Sequence, residues 1–173
     1  LLSREVAKHC KVVQSGQGAD ELFAGYHWYP QVDGAKDAFA AYRAAFFDRE
    51  HDEYAACVQP AWLTGDMAGE FVREHFAMPG ADAAVDKALR LDSTVMLVDD
   101  PVKRVDNMTM AWGLEARTPF LDYRVAELSA RIPAQFKLPE GGKYVLKEAA
   151  RKVIPSEVID RPKGYFPVPG LKH

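Results

Sequence analysis

Apolar residues recur along most of this chain with gaps of three and four, the spacing of helices that bury one face. Leu1, Leu2, Val6 and Ala7 follow that spacing with charges between them, so the first nine residues read as the end of an amphipathic helix already under way at Leu1. Lys11 to Ser15 breaks the pattern. It is a short run with two adjacent valines, closed at once by Gly16 and Gly18, and it predicts a strand. Ala19 to Gly25 (ADELFAG) carries acids early, apolar residues behind them and a final glycine, which predicts a short helix with a glycine stop.

Helical spacing then dominates. Phe39, Ala40, Tyr42, Phe46, Phe47, Tyr54 and Ala55 predict a helix over 37–57, interrupted at most once. Thr64-Gly65-Asp66 opens another that runs through Phe76 and closes at Met78-Pro79-Gly80. From Asp82 a helix runs to Pro101, which should kink or restart it, and a second stretch follows from Val102 to Trp112. Thr118-Pro119-Phe120 reads as extended, Asp122 as the cap of a helix from Tyr123 to Arg131, and Gly141-Gly142 as the entry to a helix from about Lys143 to Val153. The result is a mostly α chain with one or two short strands. A single strand cannot satisfy its own hydrogen bonds, so the run at Val12 should pair with strands outside this sequence.

Composition narrows the function classes. The 173 residues carry 22 Lys and Arg against 25 Asp and Glu, a formal net charge of -3, so no broad field exists to hold a polyanion or an anionic membrane surface. Nucleic acid and membrane are therefore not expected partners, and any anion site must be local. No apolar run approaches the roughly 20 residues of a membrane span. Cys10 and Cys57 show no metal spacing and read as reduced thiols of a cytoplasmic protein, and the five histidines form no HxxxH or HExxH pair.

Three stretches can carry chemistry. Ser15-Gly16-Gln17-Gly18-Ala19-Asp20-Glu21 lies where a strand meets a helix, the place where open α/β sheets bind ligands. There glycines let the backbone approach an anion and Asp20 could take a magnesium ion, although a plain tight turn with two acids at a helix start explains the same residues. In the second, Asp106, Asn107, Glu115, Arg117 and Asp122 are spread through a run with Met108, Met110 and Trp112, and would need partners if buried. A structural network around Arg117 accounts for most of them, with Met108 and Met110 in the core. The third is basic: Lys143, Lys147 and Arg151 share a helix face, ordinarily a solvated one, while Lys163 sits in Arg-Pro-Lys-Gly-Tyr-Phe, where proline and glycine can pin an active-site arm.

In this order the three stretches, VVQSGQGADELFAGY at 12–26, DNMTMAWGLEARTPFLD at 106–122 and GGKYVLKEAARKVIPSEVIDRPKGYF at 141–166, resemble the synthetase domain of the glutamine-dependent asparagine synthetase family. The resemblance implies a C-terminal piece of an α/β adenine-nucleotide α-hydrolase-like, or ATP-pyrophosphatase, domain spanning 1–173. It implies ATP and Mg2+ as cofactors, a carboxylate substrate such as aspartate, and ammonia from glutamine, freed by a glutaminase domain on the same full-length chain. It leaves a homodimer open. Ser15, Gly16 and Gly18 would line the adenylate and pyrophosphate site, Asp20 would bind the metal, Lys143 would face the phosphates, and Lys163 would stabilise charge on the adenylate and leaving pyrophosphate. The family's Ser-Gly-Gly-x-Asp-Ser phosphate loop and N-terminal cysteine are absent from this sequence, so the piece should be inactive alone.

One position departs from the family. Asparagine synthetases carry a glutamate between the two loop glycines, implied to help take a proton from ammonia, and here Gln17 stands there. A neutral amide forms hydrogen bonds but is no general base near neutral pH. This weakens the case for aspartate and raises, as the alternative to asparagine synthesis, a relative acting on another carboxylate such as the N-acetylglutaminylglutamine amidotransferases. A non-catalytic helical interaction module is the competing class.

Overall fold

Four helices supply the largest buried apolar cluster of the structure, a computed structural model that describes residues 1–162. Two short ones precede them, α1 (Leu2–Val6) and α2 (Ala19–Phe23), with the strand β1 (Val12–Gln14) between. The four are α3 (Tyr29–Val32), α4 (Ala38–Phe46), α6 (Met67–Ala77) and α7 (Ala84–Leu91), with α5 (His51–Cys57) outside the cluster. Tyr29, Val32, Tyr42, Val85 and Ala88 are essentially sealed from solvent between them. Their starts are fixed locally: the Asp37 carboxylate accepts from Ala40 N–H and the Asp66 carboxylate from Gly69 N–H, both at 3.0 Å. The remaining elements are α8 (Lys103–Met110), β2 (Glu115–Arg117), α9 (Tyr123–Arg131), α10 (Tyr144–Ala150) and α11 (Ser156–Ile159).

The strand at Val12 finds its partner within the chain, which corrects the expectation that it must look elsewhere. β1 and β2 run parallel with Val12 opposite Glu115, Val13 opposite Ala116 and Gln14 opposite Arg117. Ser15 N–H extends the ladder to Arg117 O at 2.8 Å, and Glu115 N–H reaches Lys11 O at 2.9 Å. Glu-Ala-Arg has neither β-branched nor aromatic residues, so β2 left no propensity signal. Extended structure had been expected three residues later, where Pro119–Leu121 instead form a 3-10 turn.

Three further expectations change. Pro101 neither ends nor restarts its helix: the chain stays helical from Ala84 to Met110 through two π turns, Asp92–Met96 and Val98–Val102, the second of which contains the buried proline. Wider turns of this kind accommodate a residue that lacks an N–H and would crowd an ordinary α turn. The stop of α2 is not Gly25 but Ala24, in the left-handed region at φ 57. Gly25 is needed for a different reason, because a side chain there would collide with the Asp20 carboxylate. Met108 and Met110 are not core; they are 61% and 55% exposed, and Asp106, Asn107, Glu115 and Arg117 around them are exposed as well.

One carboxylate sits inside the helical core. Asp92 is fully buried and accepts from Trp28 Nε1 at 3.0 Å and, in a short bond, from the Tyr42 hydroxyl. The buried Tyr29 hydroxyl lies near it without a well-aligned partner, and burial together with the negative charge of Asp92 raises the Tyr29 pKa. Burial likewise raises the pKa of Asp92, against the hydrogen bonds that favour its ionised form. Asp92→Ala, which strands two donors, should destabilise the protein by about 2–4 kcal/mol, and Asp92→Asn by less because it keeps an acceptor. The folded state holds this proton above the ordinary carboxylate value of about 4, so Asp92 lowers stability progressively as pH rises through the interval up to its raised pKa. Denaturation midpoints across that interval should lose this component in Asp92→Asn; parallel pH profiles would show that the carboxyl is not titrating there.

Candidate active site

The turn between β1 and α2 brings Ser15, Gly16, Gln17, Gly18 and Asp20 to the C-terminal end of β1. Gly16 is exposed, and a side chain added there would meet nothing within 4 Å. Gly18 is the opposite case: it is buried, has φ 92, and its missing side chain leaves the space that Leu121 occupies. The loop is thus open on one side and packed on the other against the segment that follows β2. Glu21, read from sequence as a helix-start acid, is buried and accepts from the Tyr26 hydroxyl at 2.6 Å. That bond and burial raise the Tyr26 pKa.

Lys143 comes to this loop from more than a hundred residues away. Its ammonium lies 2.8 Å from the Asp20 carboxylate, with the two side chains about a quarter exposed at 27% and 24%. Backbone contacts place it. Lys143 N–H donates to Phe23 O, the end of α2, at 2.8 Å, and Gly142 at φ 95 passes so close to the Ala24 carbonyl that no side chain fits between them. Lys143 itself sits in the left-handed region at φ 58 as the residue before α10.

The rest of the basic row is not a solvated face either. Lys147 Nζ donates to Glu140 O at 2.8 Å, and Arg151 clamps the Asp160 carboxylate with two bonds of 2.8 and 2.7 Å while also reaching Glu148 at 2.7 Å. These bonds hold Asp160 below and Arg151 above their ordinary pKa values. The clamp ties the end of α11 back onto α10. A cleft of about 540 Å³ opens between them, lined by Gly25, Lys143, Lys147, Arg161 and Pro162. Lys163, the next residue, lies outside the described residues. Arg117 does bond a carboxylate, Glu115 Oε1 at 2.9 Å, but on the surface, and Asp122 caps α9 through Arg124 N–H at 2.9 Å. The second stretch meets the loop through its backbone and packing, Arg117 O accepting from Ser15 N–H and Leu121 lying against Gly18, and otherwise supplies a strand and a cap.

The family model described as asparagine synthase matches residues 1–173. The chain belongs to the asparagine synthase family. Over its whole length it is 30% identical to the putative asparagine synthetase [glutamine-hydrolyzing] of Mycobacterium tuberculosis strain H37Rv, covering 32% of that protein. It is 27% identical to asparagine synthetase [glutamine-hydrolyzing] 1 of Bacillus subtilis, all of this chain against 33% of that one. With asparagine synthetase B [glutamine-hydrolyzing] of Escherichia coli K12 it shares 28% identity over 96% of its length and 22% of the other. The chain therefore spans about a third or less of these relatives.

The sequence reading missed Glu21, Asp92 and the Arg151–Asp160 clamp. A signal existed for the first two in the aromatic density of Tyr26, Trp28, Tyr29 and Tyr42, since buried hydroxyl and indole donors need an acceptor. The geometry at Gly142 gives a direct test. Gly142→Ala must displace either the Ala24 carbonyl or α10 and should destabilise by more than about 2 kcal/mol. Gly141→Ala, also at positive φ but facing open space, should cost about 1 kcal/mol. Denaturation of both variants decides it, and equal losses would remove the close approach as the constraint.

Proposed function

We propose that this chain supplies part of the synthetase centre of an ATP-dependent, glutamine-using amidotransferase with an α/β adenine-nucleotide α-hydrolase-like fold. The observation that carries the reading is the meeting of Asp20 and Lys143 beside an open glycine loop at a strand end. In the proposed reaction a carboxylate oxygen of the substrate attacks the α-phosphorus of ATP and pyrophosphate leaves. Ammonia then attacks the acyl carbon, and AMP departs with the bonding pair of the acyl–oxygen bond.

The residues present fit magnesium as a shared ion. Among the described residues no three His, Cys, Asp or Glu side chains gather to hold a metal on their own. A single Asp20 carboxylate suits Mg2+ that takes its remaining ligands from phosphate oxygens and water. When bound, the ion would neutralise charge building on the pyrophosphate oxygens. Lys143, released from Asp20 by that exchange, would pair with a phosphate oxygen, and the bare backbone at Gly16 admits the phosphates without a side chain in the way. By sequence, Lys163 would add a second cation on the adenylate. Cys10 and Cys57, both free and exposed, suit the reducing cytoplasm.

The acceptor is the finer question. Gln17 stands on the open loop and can donate and accept hydrogen bonds, but it cannot take the proton that the attacking nitrogen releases. That favours a carboxylate other than aspartate, and a dipeptide of the N-acetylglutaminylglutamine type is our preferred substrate.

In the full-length protein, Lys163→Ala should abolish carboxylate-dependent ATP–pyrophosphate exchange while glutamine hydrolysis persists; undiminished exchange removes Lys163 from the site. Screening carboxylates in the same exchange should rank N-acetylglutaminylglutamine above aspartate. Gln17→Glu should narrow that gap in the overall amide-forming reaction at least tenfold, and an unchanged ranking would mean that this position does not tune the acceptor.

A further inference from the structure

A second cavity, of about 320 Å³, has Glu21 and Leu22 of α2 on one wall, α7 on another and α9 with the turn after it on the third. Its chemistry is unusual for a packing defect. Lys137, only 3% exposed, lines it, and among the described residues its ammonium makes no hydrogen bond and no ion pair. Burial lowers the Lys137 pKa, and the carboxylate of Asp86 on the same cavity is the one charge that works in the other direction. Arg90 shares the lining, and its Nε is also buried without a partner, while its other nitrogens donate to the carbonyls of His75, Met78 and Pro79.

The hydroxyls nearby are already engaged: Ser129 donates to Leu22 O, and both Ser93 and Thr94 donate to Arg90 O. What remains open is cationic on one side, Lys137, since Arg90 Nε is sealed within the protein and the other Arg90 nitrogens are engaged. The other side is anionic, with Asp86 and Glu21 in the lining. Lys137 thus brings an ammonium without a protein partner to the edge of this cavity, and a volume of this size is at the lower end of small-ligand sites. A lone phosphate or carboxylate would satisfy the donors but face the two acids. A ligand carrying both charges answers both sides of the lining.

We propose that this cavity binds a free α-amino acid as its zwitterion, with the carboxylate on Lys137 and the ammonium on Asp86 and Glu21. The site is separate from the Asp20–Lys143 loop and stands whether or not the proposed amidotransferase chemistry holds. Its occupant binds without reacting.

The test is calorimetric titration of the full-length protein and its Lys137→Met variant with L-alanine, L-glutamine, acetate, methylammonium and inorganic phosphate. One or both amino acids should bind in a component that Lys137→Met weakens at least tenfold, while acetate, methylammonium and phosphate bind at least tenfold more weakly than the amino acid. Ala126→Leu, which narrows the cavity without touching a charge, should weaken the same component and serves in place of Lys137→Met if that variant does not fold. Amino-acid binding unchanged by either substitution would overturn the proposal. So would phosphate or acetate binding as well as the amino acid, which would make this a simple anion site, or no amino-acid binding at millimolar concentration, which would leave the cavity to ordered water.

Discussion

The backbone at Gly142 lies against the Ala24 carbonyl with no room for a side chain, and the placement of the candidate active site follows from that contact. Two segments more than a hundred residues apart are joined there by main chain rather than by side chains: Lys143 N–H closes on Phe23 O, and four consecutive residues, Glu140 to Lys143, adopt positive φ to turn into α10. A side-chain contact can slide between rotamers, but a backbone hydrogen bond beside a forced close approach cannot. The ammonium of Lys143 is therefore delivered to Asp20 from a fixed origin. Ala24, a non-glycine residue in the left-handed region, carries strain of its own that is tolerated because its carbonyl closes the joint.

The rest of the molecule divides between rigidity and access. The helices around Tyr29 and Tyr42 seal those two rings from solvent, and the acceptor needed inside is supplied by Asp92. Glu21 serves Tyr26 in the same way, and Tyr26 stacks on Trp28 with ring centres 4.2 Å apart, so α2 is linked on one side to the core. Its next-door residue Asp20 faces the loop. One short helix thus presents a structural carboxylate and a candidate metal-binding one in adjacent positions, and the first keeps the second in place.

Much of this was legible in the sequence because it is written locally. Caps at Asp66 and Asp122, the strand at Val12 before two glycines, and helices at three- and four-residue spacing all depend on near neighbours. What escaped depends on distant ones. β2 forms in Glu-Ala-Arg because β1 offers a parallel edge, not because those residues favour extension. Pro101 passes through a helix because π turns absorb it, and nothing in its neighbours announces that. Met108 and Met110 had the character of core but face outward. In the site, the residue types of the Ser15–Asp20 loop and of Lys143 were readable one by one, but their meeting was not, since it rests on the Gly142 joint. The Arg151–Asp160 clamp was hidden for the same reason: neither partner is informative until the chain brings α11 back over α10.

The near-neutral charge of the chain acquires a local meaning from this. A protein of net charge -3 cannot concentrate phosphates by its overall field, so an anion must be recognised by a few pre-placed groups. Lys143 and Asp20 neutralise one another at 2.8 Å with both side chains still partly open to solvent. Two bare charges held apart in that loop would each be unfavourable. Paired, they keep the loop ordered, and phosphate with its metal would enter by exchange of partners: the ammonium trades a carboxylate oxygen for a phosphate oxygen and the carboxylate trades an ammonium for a cation of higher charge. Recognition by such an exchange would rest on the difference in strength between old and new partners. That difference is largest for a ligand that brings anion and divalent metal together, which is a physical reason for such a site to distinguish a metal-bound nucleotide from either component alone.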